Sequence, residues 1–157
     1  MSSVLSQKSQ YAVRAVLELA KRHGSGPVKA SLIAEAQYLP VRFLENILGE
    51  LRKAGVVESV RGKEGGYRLS RSPQELSVGD VIRLVQGPLS AVDCHANGGA
   101  TGAAGGGECA LSSGCVLLPV WERAQEAMMA VYEGTSFGAL VEEERAARGS
   151  EGLHYAI

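Results

Sequence analysis

The stretch PVRFLENILGELRKAGVVESVRGKEGGYRLS, residues 40–70, joins a helical repeat to a hairpin pattern. The apolar residues of its first part recur every three or four positions, as on a buried helix face: Val41, Leu44, Ile47, Leu48 and Leu51. Pro40 suits a first helical position and Gly55 suits a helix stop. This part therefore predicts a helix from about Pro40 to Lys53.

The second part of the same stretch predicts two short strands. Strand-forming residues stand on both sides of a glycine-rich turn: Val56, Val57 and Val60 before it, Tyr67 and Leu69 after it. Arg61 and Lys63 lie at or near the tip of this hairpin, and Arg68 and Arg71 lie on the return. The pattern indicates a small β-hairpin with a basic tip.

Upstream residues complete a recognisable order of elements. Residues 9–22 carry the apolar repeat of a largely buried helix, and Ser31 is a candidate N-cap for a short helix containing Ile33. Two short helices joined by a tight turn form a helix-turn-helix, and a basic hairpin directly after them is the order of a winged helix. The predicted fold is mainly α with a small β-hairpin wing.

Downstream, the chain changes character. A helix begins after Ser77 and ends at Gly87, and a longer helix that Pro119 opens carries an apolar face suited to core or dimer contact. Thr135 and Ser136 can cap a last helix. The predicted organisation is a winged helix-turn-helix domain over 1–87, a cysteine loop with dimerisation helices over 88–148, and a loose tail over 149–157.

Charge is divided unevenly along the chain. Residues 1–71 carry 12 Lys and Arg against 6 Asp and Glu, a balance of +6, whereas residues 72–157 carry 4 against 11, a balance of −7. The basic front half favours a polyanionic partner. The first residues lack the apolar core of a signal peptide, and no apolar run approaches the roughly 20 residues of a membrane span. We therefore expect a cytoplasmic protein with no membrane partner.

The front half offers candidates for contact with double-stranded operator DNA. Arg42, Glu45 and Asn46 are early polar residues of the predicted second helix, and these side-chain types can pair with base edges in the major groove. Arg61 and Lys63 of the wing suit phosphates or the minor groove. Helix-turn-helix repressors normally bind as dimers, so a homodimer is expected.

All three cysteines lie in one segment rich in glycine and alanine, DCHANGGATGAAGGGECALSSGC, residues 93–115. In a reducing compartment, clustered cysteines are more often metal-binding or redox-active than disulfide-bonded. Cys94, Cys109 and Cys115 can therefore hold a metal or an iron–sulfur cluster, and a zinc site, a thiol switch or ordinary thiols remain alternatives. An enzyme with a cysteine nucleophile is disfavoured, because His23, His95 and His154 form no evident triad.

The stretches LSQKSQYAVRAVLELA (5–20) and ASLIAEAQYLPVRFLENILGELRKAGVVESVRGKEGGYRLSR (30–71), with the later cysteines, resemble the IscR/NsrR family of winged-helix transcription regulators. The similarity covers roughly residues 5–145. The resemblance implies a homodimer with an N-terminal winged helix and a long dimerisation helix, and an iron–sulfur cluster, [2Fe-2S] or [4Fe-4S], held by the three cysteines. It also implies that Glu45 and Arg61 take part in DNA recognition.

The sequence departs from the family pattern around the expected cluster. The insertion HANGGATGAAGGGE stretches the gap between Cys94 and Cys109. Leu118 stands where IscR-type members place a histidine ligand, and Gln10 stands where NsrR-type members use an acidic residue. The fourth ligand is therefore open, with His95, Glu108, Gln10 or a solvent species as candidates. Some members of the family lack a cluster and respond through thiol oxidation or a bound metabolite.

Overall fold

The computed structural model describes residues 5–87 and 115–151. The described helices and strands are, in chain order, α1 (Gln7–Lys21), α2 (Ala30–Gln37), α3 (Val41–Lys53), β1 (Val57–Val60), β2 (Gly66–Leu69), α4 (Val78–Gln86), α5 (Leu118–Gly134) and α6 (Phe137–Glu151), with a 3₁₀ turn at Pro73–Glu75. The mainly helical fold with a two-stranded antiparallel wing is confirmed.

The helix-turn-helix is built on a single apolar core. Leu44, Ile47, Leu48 and Leu51 of α3 are fully buried, as predicted, and Ala15 and Val16 of α1 lie in the same cluster. Val41 was predicted to share this buried face, and that prediction is wrong because Val41 remains 43% exposed. Periodicity identifies the face of a helix, but it does not indicate where the layer covering that face ends.

The starts of α2 and α3 differ from the predicted ones by one position or more. Lys29, not Ser31, is the N-cap of α2, and no side chain caps this end; Ser31 is the second residue of the helix. Pro40 is the N-cap of α3 rather than its first helical residue. Extended backbone at Lys29 and Pro40 starts both helices without a side-chain hydrogen bond.

The wing is a short antiparallel hairpin anchored to the segment before α2. Val57 pairs with Leu69 and Val60 with Gly66. The backbone of Val28 exchanges two hydrogen bonds of 2.8 Å with Tyr67, so the hairpin gains a third extended segment. Gly66 is required at this junction, since a β-carbon there would lie 2.4 Å from the carbonyl oxygen of Val28 and its φ is 156°.

The last helix folds back onto the winged-helix core. Phe137 is fully buried and Val141 nearly so, and both belong to the core cluster. The Phe137 N–H donates to the carbonyl of Leu76, and the Val78 N–H donates to that of Thr135. The predicted Ser77 cap is confirmed, with a reciprocal hydrogen bond to Asp80. α6 extends to Glu151, three residues into the predicted tail.

α5 differs from the other long helices because none of its residues is buried. Val120 is 49% exposed and Val131 is 65% exposed, and Ala124, Ala127 and Ala130 line a shallow surface groove with Val120. The apolar face predicted for this helix is therefore only partly covered in the described monomer: Met128 packs against the core, whereas Val120 and Val131 remain exposed. In residues 5–87 and 115–151, no helix is long and apolar enough to cross a membrane.

Candidate nucleic-acid interface and cysteine segment

The outer face of α3 presents the polar residues predicted to read DNA. Arg42, Glu45 and Asn46 are all exposed, because the apolar repeat turns the opposite face of the helix into the core. Within residues 5–87 and 115–151, none of the three makes a side-chain hydrogen bond or an ion pair. Their donors and acceptors are therefore available to another molecule.

The wing carries two kinds of cation. Arg61 and Lys63 lie exposed in the turn between β1 and β2, and neither has an acidic partner in the described part of the chain. Arg68 on β2, in contrast, donates two 3.0 Å hydrogen bonds to the carboxylate of Glu58 on the neighbouring strand. Glu64 also lies in the turn, so the tip carries two cations against one anion.

A third group of charges lies near the C-terminal end of α1 and is fully paired. The carboxylate of Glu18, on a side chain only 6% exposed, accepts from Arg22 at 2.7 Å and from Gln37 of α2 at 3.0 Å. Lys21 lies 3.8 Å from Glu18 and 2.7 Å from Glu144 of α6. Burial raises the pKa of Glu18, but these hydrogen bonds and positive charges outweigh it and hold the pKa below its ordinary value.

A polar network links the N-terminal end of α1 to the last turn of α4. The side-chain oxygen of Gln86 accepts from the Ser6 N–H at 2.7 Å and from the hydroxyl of Ser9, which is fully buried, at 2.9 Å. One residue before Ser9, Lys8 forms a 2.7 Å ion pair with Glu50 of α3. Sequence reasoning missed this network, because Ser9 lies in the polar first turn of α1, QKSQ, where the sequence does not show which residue is buried.

Only one of the predicted cysteine ligands falls within the described residues. Cys115 lies just before α5; it is partly exposed, and its thiol is free within the described residues. Cys94, Cys109, His95 and Glu108 lie outside the described residues. Among residues 5–87 and 115–151, no group of three or more potential metal ligands comes together.

The other positions around the expected cluster supply weak donors or none. Leu118 is the first residue of α5 and has an aliphatic side chain. The Gln10 side chain is exposed on α1, and its amide donates to the carbonyl of Leu5 at 3.1 Å. An accessible thiol fits a soft metal or a cluster, so Cys115 is compatible with a cluster, and Gln10 is the one candidate fourth ligand within the described residues.

A helix-turn-helix whose second helix, α3, has a polar face unpaired in the described part of the chain, followed by a hairpin with a basic tip, defines a winged-helix protein of the DNA-binding class. The chain belongs to the Rrf2 family: the family model, described as an iron-dependent transcriptional regulator, matches residues 5–143. The resemblance found in the sequence is thereby confirmed, and the protein is an Rrf2-family transcriptional regulator with a DNA-binding fold.

Relatives with different names share this fold. The chain is 36% identical to the HTH-type transcriptional regulator IscR of Aliivibrio salmonicida, over 87% of this chain and 76% of the relative. The solved structure of T. potens IscR gives a TM-score of 0.72 at 33% identity, covering 91% of this chain and 89% of that one. CymR, the global cysteine regulator of B. subtilis, gives the same TM-score at 31% identity, covering 91% and 98%.

Proposed function

We propose that this chain is a homodimeric regulator that binds double-stranded operator DNA through α3 and the wing. The observation that carries the proposal is that the polar face of α3 and the cations of the neighbouring wing have no partner within residues 5–87 and 115–151. In this arrangement Arg42, Glu45 and Asn46 lie in the major groove, where such groups discriminate bases. Arg61 and Lys63 contact phosphates or the minor groove.

The homodimer is proposed to form along α5. An amphipathic helix is stable when its apolar face is covered, and the face containing Val120 and Val131 is uncovered in the described monomer. Alanines on the same helix allow two copies to approach closely. A dimer also brings two α3 helices into position for the two half-sites of an operator.

We propose that Cys94, Cys109 and Cys115 hold an iron–sulfur cluster, [2Fe-2S] or [4Fe-4S], that controls DNA affinity. The accessible thiol of Cys115 and the likeness to proteins named IscR support this assignment. A bound cluster would supply a centre sensitive to iron and to redox state. His95, Glu108 and Gln10 stay the candidate fourth ligands.

The coupling to DNA runs through the two helices that flank the cysteine segment. The segment starts just after Gln86 of α4 and ends just before α5. Gln86 bonds the N-terminal end of α1, where Lys8 in turn holds Glu50 of α3. A change at the cysteines that displaces the end of α4 is therefore transmitted to α3.

The alternative keeps the DNA-binding fold and makes the segment a zinc site or a thiol redox switch. The equal structural likeness to CymR, a protein described as a cysteine regulator, favours keeping this alternative. In either case the protein acts as a cytoplasmic repressor or activator of transcription and not as an enzyme, consistent with relatives that are named transcriptional regulators.

The test combines DNA selection with metal analysis. Anaerobically purified wild type should enrich a defined duplex from a random-sequence library, and it should be brown with iron and sulfide. Changing Cys94, Cys109 and Cys115 singly to Ala should remove the colour and alter the affinity. Zinc without iron would support the alternative, and a wild type that enriches no duplex would contradict DNA binding itself.

A further inference from the structure

Tyr38, the residue between α2 and α3, has an unusual backbone conformation. Its φ of 52° and ψ of 48° lie in the left-handed region, and it is the only non-glycine residue with positive φ among residues 5–87 and 115–151. Side chains with a β-carbon disfavour this region, and glycine is the usual residue at such a helix C-terminus. Tyrosine at this position therefore does not stabilise the left-handed backbone conformation.

Neighbouring hydrogen bonds fix this conformation whatever the side chain. The Leu39 N–H donates to the Ala34 carbonyl at 2.8 Å, and the Tyr38 N–H donates to that of Glu35 at 3.3 Å. The Arg14 guanidinium donates to the carbonyl of Gln37. Leu39 is buried, which anchors the turn in the core. The backbone is thus held by its surroundings, and the tyrosine is accommodated rather than required.

The side chain of Tyr38 also contributes nothing to packing. The residue is 91% exposed, the most exposed of the large hydrophobic residues in the described part of the chain. No hydrogen bond to its hydroxyl is formed within that part, whereas the ring of Tyr11 makes an edge contact with Phe43. A bulky aromatic held in an unfavourable conformation and fully exposed indicates a binding role.

We propose that Tyr38 contacts the DNA backbone, its hydroxyl donating a hydrogen bond to a phosphate oxygen while the ring lies against the adjoining sugar. This inference rests on the proposed DNA-binding function. Tyr38 lies two residues before Pro40, the N-cap of α3, so it stands beside the start of the helix that enters the major groove. Tyrosine hydroxyls are among the neutral donors that fix the register of a protein on the phosphates.

A DNA duplex suits this residue better than a protein surface. Arg42 of the adjoining helix is exposed and unpaired in the described chain, so the neighbourhood is suited to polyanionic phosphates. A phenol adds a hydrogen bond there without adding a charge. The contact should therefore strengthen binding without changing its dependence on salt, because it releases no counterion.

Three variants at this position test the proposal in the full-length protein. Tyr38→Gly removes the side chain and relieves the backbone, Tyr38→Asn keeps a residue that tolerates this conformation, and Tyr38→Phe removes the hydroxyl alone. The probe is the duplex that the wild type enriches from the random library. We expect Tyr38→Gly and Tyr38→Asn to weaken binding about tenfold and Tyr38→Phe about threefold, the lower end of what one net hydrogen bond contributes, because this bond is exposed to solvent.

Stability and salt dependence separate this role from a structural one. The Tm of Tyr38→Gly should equal or exceed that of the wild type. The salt dependence of DNA affinity in all three variants should be the same as in the wild type. If the wild type binds its duplex and Tyr38→Gly binds equally well, the inference is wrong while the proposed function stands. A fall in the Tm of Tyr38→Gly that accounts for its lost binding would also overturn the inference. A wild type that binds no duplex would overturn both.

Discussion

The cations near the C-terminal end of α1 and those of α3 and the wing are the same residue types in opposite situations. Arg22 and Lys21 each lie against a carboxylate, and Glu18 in their midst is nearly buried. Arg42, Arg61 and Lys63 have no such partner in the described part of the chain. The paired charges connect α1 to α2 and α6, whereas the unpaired ones are the cations proposed to contact DNA. The comparison separates side chains that stabilise the fold from side chains that are proposed to bind DNA.

The largest effect is expected at the wing. Changing both Arg61 and Lys63 to Gln should lower DNA affinity about a hundredfold, close to 3 kcal/mol, because phosphate contacts and their counterion release are lost. The salt slope should fall by about 0.9 for each cation removed from a phosphate. The Tm should stay at the wild-type value. Binding isotherms at several salt concentrations and a thermal melt provide the measurement.

Arg68 is the matched control for the wing, since it lies on the same hairpin but is paired with Glu58. Arg68→Gln should change affinity less than about threefold, because an exposed pair contributes little and its cation is already neutralised. Equal losses in Arg68→Gln and in the double variant would show that the pairing of a cation does not decide its role.

The next effect concerns stability rather than binding. Glu18→Gln removes the charge from a carboxylate that accepts hydrogen bonds from Arg22 and Gln37. We expect the free energy of unfolding to fall by about 2 kcal/mol, the scale of hydrogen bonds to a buried charged group, and the Tm to fall by roughly 5 °C. The folded variant should bind DNA like the wild type.

Glu144→Gln is the corresponding control on α6. Its side chain is 30% exposed and its partners Lys21 and Arg148 can reach water, so the loss should be below about 1 kcal/mol. Chemical denaturation of both variants gives the comparison. A loss for Glu144→Gln as large as for Glu18→Gln would mean that burial does not set the strength of these pairs.

The stability that the Glu18 carboxylate contributes should depend on pH. The pKa of Glu18 in the folded chain lies below its ordinary value of 4.5, so on acidification the unfolded chain takes up the proton first. The stability that Glu18 contributes is complete above about pH 5.5 and is lost as the pH falls through 4.5 towards the folded pKa. The stability difference between the wild type and Glu18→Gln should therefore shrink as the pH falls from neutral to 4, by less than about 1 kcal/mol. A constant difference would contradict the assignment.

The sequence predicted the elements that depend on local periodicity and failed where the outcome depends on contacts distant in sequence. The α3 face, the Ser77 cap and the wing follow from spacing and turn residues between positions 40 and 87. The exposure of Val41 and the burial of Phe137 depend on which helices cover them. The polar residues of α3 could be predicted because amphipathic spacing also locates the outward face. The pairing of Arg68, and the absence of a partner for Arg61 within the described residues, could not be predicted in this way.

The smallest effect is expected at Gln86, because its hydrogen bonds to the start of α1 lie next to the cysteine segment that is proposed to sense the signal. Gln86→Leu removes the oxygen that accepts hydrogen bonds from Ser6 and Ser9. A displacement at the cysteine segment should therefore be coupled more weakly to the position of α3. The ratio of DNA affinities between the iron-loaded and metal-free protein should fall about threefold, equivalent to less than 1 kcal/mol of coupling. Gln86→Glu keeps an acceptor oxygen and should retain most of the ratio. If both variants lose it equally, or neither does, the hydrogen bonds at Gln86 do not carry the signal, and α5 becomes the element to test.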